Sequence, residues 1–257
     1  MKTRKQISII LIFLLVVSAA LYSQETKESD EFKLAVNLYN DNMFDLALDQ
    51  FKNFVNAYAS SNQAIEARYY IGLVQFKLKK FEDARVSFQN FALSYTDNPK
   101  AADAWFKVGD SYVALKNFRE AALAFERVKV FQPKSQLAPE ALLKSAEYFK
   151  RDGDLTNARK NLQAIMQDYG GSELVQAARL SLAALYLEDG NVDLAQSEAR
   201  RVIDTESKYK PDGLILLGKI YVTLGQFDEA EKNLLAVIKN YRNSSNALQA
   251  CYELGVM

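Results

Sequence analysis

The stretch Ala104–Val128, AWFKVGDSYVALKNFREAALAFERV, decides how the whole chain is read. Ala104, Trp105, Val108, Gly109 and Tyr112 recur at spacings of one, three and four, the period of one face of a helix. Lys116-Asn117 interrupts the pattern, and Phe118, Ala121, Ala122, Phe125 and Val128 resume it. Two amphipathic helices joined by so short a turn form a hairpin. The small residues mark a close crossing, since only Gly or Ala lets two backbones approach without a side chain between them.

The hairpin recurs along the chain. Gly109 has counterparts at Ala35, Gly72, Ala146, Ala183, Gly218 and Gly255, each 37 residues after the last except for a step of 35 between Ala183 and Gly218. Twelve residues after the first six of these stand Ala47, Ala84, Ala121, Ala158, Ala195 and Ala230. Nine residues after them stand Phe44, Phe81, Phe118, Leu155, Val192 and Phe227. Twenty-three after, Tyr58, Tyr95, Tyr169 and Tyr241 recur, with Gln132 and Glu206 in the other two repeats. A period of this length is the mark of a stacked array. Breakers fall accordingly: Gly153, Gly190 and Gly225 in the turn within a repeat, and Pro99, Pro133, Pro139 and Pro211 between repeats. Six repeats are complete, and a seventh stops inside its first helix, Ala247–Met257.

The spacing Trp105, Val108, Gly109, Tyr112, Ala121, Phe125, Pro133, with turn glycines at Gly153, Gly190 and Gly225, resembles the tetratricopeptide repeat family over about residues 28–257. The long step and the polar turns Tyr58–Asn62 and Ser94–Pro99 resemble the exported bacterial branch of that family. The resemblance implies an all-α, right-handed solenoid of antiparallel helix pairs, about six and a half units, binding other proteins without catalysis. It implies that the first helix of each repeat lines a concave groove, through positions three before, one after and four after the small residue. Those positions hold Phe32, Val36 and Tyr39; Tyr69, Leu73 and Phe76; and Phe106, Asp110 and Val113. Further along they hold Leu143, Glu147 and Lys150; Leu180, Ala184 and Leu187; and Ile215, Lys219 and Val222. The Lys/Asn set with which some members clamp a terminal carboxylate is absent there. A partly apolar peptide or helix is the expected occupant, with Tyr69 and Phe106 equally suited to packing between helices.

Composition narrows the chemistry. The 257 residues are 49% hydrophobic and 25% charged, enough to fold. The chain has no histidine, which excludes a Ser-His-Asp triad and any imidazole metal site. Its single cysteine, Cys251, forms no internal disulfide. Ser207-Lys208-Tyr209-Lys210 fits S-x-x-K but lacks its companion motifs and lies in a turn. Tyr169-Gly170-Gly171-Ser172 reads as a turn with a serine cap rather than an anion site. No enzyme activity, cofactor or metal is expected.

Lys2, Arg4 and Lys5 precede an apolar run from Ile7 to Leu21 that ends in small residues, so residues 1–23 read as a signal peptide, with an uncleaved anchor over 7–22 as the alternative. Residues 24–31 read as a polar linker and 32–257 as the repeat domain. Removing the leader takes away three basic residues and no acidic one, leaving a slightly acidic chain with no attraction for nucleic acid. The expected role is an envelope scaffold for another protein. The mainly apolar last helix supports the alternative of a docking region in a larger enzyme or signalling protein.

Overall fold

The computed structural model describes residues 26–257, in which all regular structure is helical. The helices are α1 (26–40), α2 (Phe44–Ala57), α3 (Asn62–Lys77), α4 (Phe81–Ser94), α5 (Ala101–Ala114), α6 (Phe118–Phe131), α7 (Ala138–Asp152), α8 (Leu155–Asp168), α9 (Val175–Glu188), α10 (Val192–Ile203), α11 (Lys210–Thr223), α12 (Phe227–Asn240) and α13 (Ser245–Val256). Odd-numbered helices are the first of each repeat and even-numbered helices the second, an all-α repeat solenoid. The chain forms two compact bodies, one ending at Lys116 and the other spanning Asn117–Met257. The proposed signal segment, residues 1–23, lies outside the described residues.

The turn inside each repeat is built identically from different residues. The seventh position after the small residue is left-handed every time: Asn42 (φ 60°), Lys79 (59°), Lys116 (62°), Gly153 (86°), Gly190 (75°) and Gly225 (69°). In the first, second, fourth, fifth and sixth repeats the following N–H reaches back five residues, as in Lys80 to the Gln75 carbonyl (2.9 Å) and Asp154 to Phe149 (2.8 Å), which closes the first helix and starts the second. Between repeats, Asn98, Ser135, Ser172 and Ser207 each accept the N–H two residues on, at 2.9–3.3 Å.

The core follows the repeat columns. The alanines twelve after the small residue, from Ala47 to Ala230, are all fully buried. Sixteen after it stand Phe51, Phe88, Phe125, Leu162, Ala199 and Leu234, also buried. Two of them, Phe88 and Leu234, lie over the small residue of their own repeat. A Cβ on Gly72 would meet the Phe88 ring at 2.8 Å, and one on Gly218 would meet Leu234 Cγ at 2.8 Å.

Two expectations need correction. The segment expected as a linker over 24–31 is helical from residue 26, with Lys27 and Glu31 paired one turn apart at 3.8 Å. Lys27, Glu28 and Glu31 are good helix formers, and no Gly or Pro stands among residues 26–31 to break the helix. Pro139 and Pro211, expected between repeats, sit in the first turn of α7 and α11, where a missing N–H breaks no helical bond.

Candidate functional site

In the N-terminal body the expected groove residues divide into two groups. Tyr69 and Phe106 are buried, at 8% and 7% exposure, so neither lies open as the groove reading required. Tyr69 turns toward α4, edge-on to Phe88 (5.6 Å) and Phe91 (5.4 Å), and its hydroxyl donates to the Asp103 carboxylate of α5. Burial first, and then Asp103, holds that hydroxyl well above the ordinary tyrosine range. The position three before the small residue is core again at Ile215 (3%), which packs with Leu234 and Val237. At Tyr69 and Ile215 the large side chain fills the space between its own repeat's two helices.

Val36, Leu73 and Asp110, one after the small residue, and Tyr39 and Phe76, four after it, are half-buried, as is Phe32. Phe32 meets Phe54 (5.4 Å) and Tyr70 (6.2 Å), Tyr39 meets Tyr70 (5.5 Å), and Phe76 meets Phe81 (5.2 Å). Burial and the neighbouring Tyr70 raise the Tyr39 hydroxyl above its ordinary value. Asp110 pairs with Lys107 at 3.2 Å. Spacing missed Tyr70, two before the small residue, which stacks on Phe51 at 5.0 Å and joins the aromatic row across repeats.

In the C-terminal body the same helix face is hollowed. A cleft of about 350 Å³ is lined by Leu143, Ala146, Glu147, Lys150, Ser181 and Ala184 among others. A second of about 170 Å³ involves Leu180, Asp212, Ile215, Leu216, Lys219 and Gln249. A third of about 110 Å³ lies at Lys219, Val222, Glu253 and Val256. The sequence expectations thus meet at Leu143, Glu147, Lys150 and Ala184, and at Leu180, Ile215, Lys219 and Val222. Leu187 is half-buried but lines none of these clefts. Ser181, Asp212, Gln249 and Glu253 were missed, though all stand two or six before a small residue, so the columns themselves held the signal.

Charges on this face are largely satisfied within it: Lys150 with Glu188 (2.5 Å), Arg151 with Glu147 (2.8 Å) and Lys219 with Glu253 (2.7 Å). The face therefore offers apolar hollows between compensated charges. Among the described residues, the candidate reactive groups serve local turns. Ser207 Oγ accepts the Tyr209 N–H and Lys210 pairs with Glu206 at 2.7 Å, so the S-x-x-K tetrad is a turn. Ser172 serves its own turn in the same way. Cys251 is exposed. Among the described residues there is no cluster of three or more potential metal ligands, and no helix is long and apolar enough to cross a membrane.

A family model described as a tetratricopeptide repeat-like domain matches residues 88–252, and a tetratricopeptide repeat model matches 66–98. The chain belongs to the tetratricopeptide repeat family, whose repeats commonly serve as surfaces for contact with other proteins or peptides. It is similar in fold to YrrB, a TPR protein with an unusual peptide-binding site, at 16% identity and a TM-score of 0.55, over 79% of this chain and 97% of that one. It is also similar to MamA from Desulfovibrio magneticus RS-1, at 14% identity and a TM-score of 0.54, over 70% of this chain and 97% of that one. PilW, a type IV pilus biogenesis factor, gives 16% identity and a TM-score of 0.50, over 85% of this chain and 96% of that one. No curated protein is significantly similar in sequence.

Proposed function

We propose that the protein is a non-catalytic scaffold, exported to the bacterial cell envelope by residues 1–23, that holds a partner polypeptide along the first-helix face. The observation that carries this reading is the row of apolar clefts on α7, α9, α11 and α13, whose flanking charges are paired with one another. A surface of that kind gains affinity by desolvating apolar side chains of an extended segment, not by attracting net charge. The half-buried row of Val36, Tyr39, Leu73 and Phe76 offers the same chemistry in the N-terminal body. The peptide-binding site of YrrB and the pilus role of PilW support, by analogy of fold, a binding role and an envelope setting.

The test is a peptide display selection on the whole chain, followed by titration of the best peptide into wild type and Ala184→Arg. The arginine fills the 350 Å³ cleft from a half-buried helix position. A loss of at least about tenfold in affinity with unchanged helicity supports the reading; about 1.4 kcal/mol corresponds to that factor. Unchanged affinity places the binding surface elsewhere. Intact mass from fractionated envelope tests export: a species beginning near Gln24 supports cleavage, and a membrane-bound species retaining Met1 supports an anchor.

A further inference from the structure

The second repeat contains a cavity outside the first-helix face. It measures about 280 Å³, with Ile71 and Phe91 as apolar wall and Arg68, Ser87, Asn90 and Ser94 among its polar lining. Arg68 is the one charged residue among the described residues that line it. Its Nη2 donates to the Ala59 carbonyl at 3.3 Å, while Nη1 is buried and meets no acceptor. A buried donor without an acceptor is destabilising, more so when it carries charge, and calls for an explanation.

The chain supplies its own template for that explanation. Arg68 stands four residues before Gly72, and Arg179 stands four before Ala183. Arg179 donates through Nη1 to the Glu198 carboxylate at 2.7 Å, and Glu198 stands fifteen after Ala183. Fifteen after Gly72 stands Ser87, on the wall of the cavity, where its hydroxyl donates to Gln75 at 2.6 Å. The second and fifth repeats thus carry the same cation, and only the fifth carries its anion. The fold does not demand a cation in this column, which holds Trp105, Leu142 and Leu214 in the third, fourth and sixth repeats.

We propose that the Arg68 cavity is a carboxylate-binding subsite. An external carboxylate pairs with Arg68 as Glu198 pairs with Arg179, Asn90 and Ser94 supply further hydrogen bonds, and the methylenes behind it lie on Ile71 and Phe91. The flat guanidinium suits a carboxylate better than any other donor in the lining. No acidic residue lines the cavity to repel such a ligand, and its volume suits a glutamate-sized group. The ligand is either the acidic side chain of a bound polypeptide or a free short-chain dicarboxylate.

The experiment follows the Arg68 Nε–Hε resonance of the full chain during titration with glutarate, with a capped Gly-Gly-Glu-Gly-Gly peptide and with inorganic phosphate. A saturable shift with either carboxylate supports the proposal, and the tighter of the two identifies the source. No saturable shift with either one, or phosphate binding as tightly, overturns it. Arg68→Gln should weaken the binding, read on neighbouring backbone amides, at least tenfold. Ser87→Glu places the anion where the fifth repeat has it, so it should shift the Arg68 resonance without ligand, abolish the titration and raise the denaturation midpoint. A Ser87→Glu chain that titrates like wild type would show that no carboxylate seats there.

Discussion

Gly72 and Gly255 share a repeat column but sit in different surroundings. A methyl on Gly72 would press on two atoms of the Phe88 ring at 2.8 Å, and that ring is fully buried and cannot swing aside. Alanine gains about 1 kcal/mol of helix propensity there, but overpacking costs about 1–3 kcal/mol, so Gly72→Ala is expected to lose about 1 kcal/mol. Gly255 has nothing within 4 Å of the same methyl, and Gly255→Ala should be neutral or gain up to about 0.5 kcal/mol near its helix end. Urea unfolding of both variants measures the contrast. The turn column gives the opposite substitution: Lys79→Gly relieves a left-handed lysine at φ 59° and should stabilise by about 0.5–1 kcal/mol, while Gly153→Ala, at φ 86°, should lose about 1 kcal/mol. The glycines of that turn were legible from residue type. Asn42, Lys79 and Lys116 were legible only through the column they share, because the backbone demands the conformation whatever residue stands there.

At the scale of elements, the helices and turns were readable, and the direction of individual side chains was not. Spacing places Tyr69 on the same helix face as Leu73 and Phe76, but it cannot say that a ring at that height reaches Phe88 and Phe91. The polar run before residue 32 read as linker because polarity alone does not separate a solvated helix from a coil. The Arg68 cavity was invisible for another reason, since it depends on the pairing of two columns on different helices. The Tyr69–Asp103 bond joins α3 to α5 and makes a pH prediction. The folded state raises the Tyr69 hydroxyl above the value of about 10 that it has in the unfolded chain, so the native form keeps a proton that the unfolded form releases. Its contribution is complete below about pH 10 and is lost as the pH rises beyond that. Tyr69→Phe should cost about 1 kcal/mol at pH 7 and flatten the fall in stability above pH 10. Unfolding free energies of both proteins at pH 8 and pH 10.5 give the comparison, in which the other raised tyrosines, Tyr39, Tyr58 and Tyr169, cancel.

At the scale of the molecule, the architecture was legible because one period governs nearly every buried position. The division at Lys116-Asn117 was not legible as a boundary, because the same two residues serve as an ordinary turn inside the third repeat. Within the C-terminal body, the substantial packing is between helices one or two apart in sequence, from α6 against α7 to α11 against α13. Stability should then be nearly a sum of local terms, with damage spreading only to neighbours. Leu234 tests this, being fully buried on α12 above Gly218 of α11. Leu234→Ala removes that contact at a cost of about 2–5 kcal/mol. Hydrogen exchange read by mass spectrometry should show α11, α12 and α13 losing protection while α6, α7 and α8 keep theirs. Equal loss from α6 through α13 would mean that the body unfolds as one cooperative unit, and nearest-neighbour stacking would then fail to describe how it holds together.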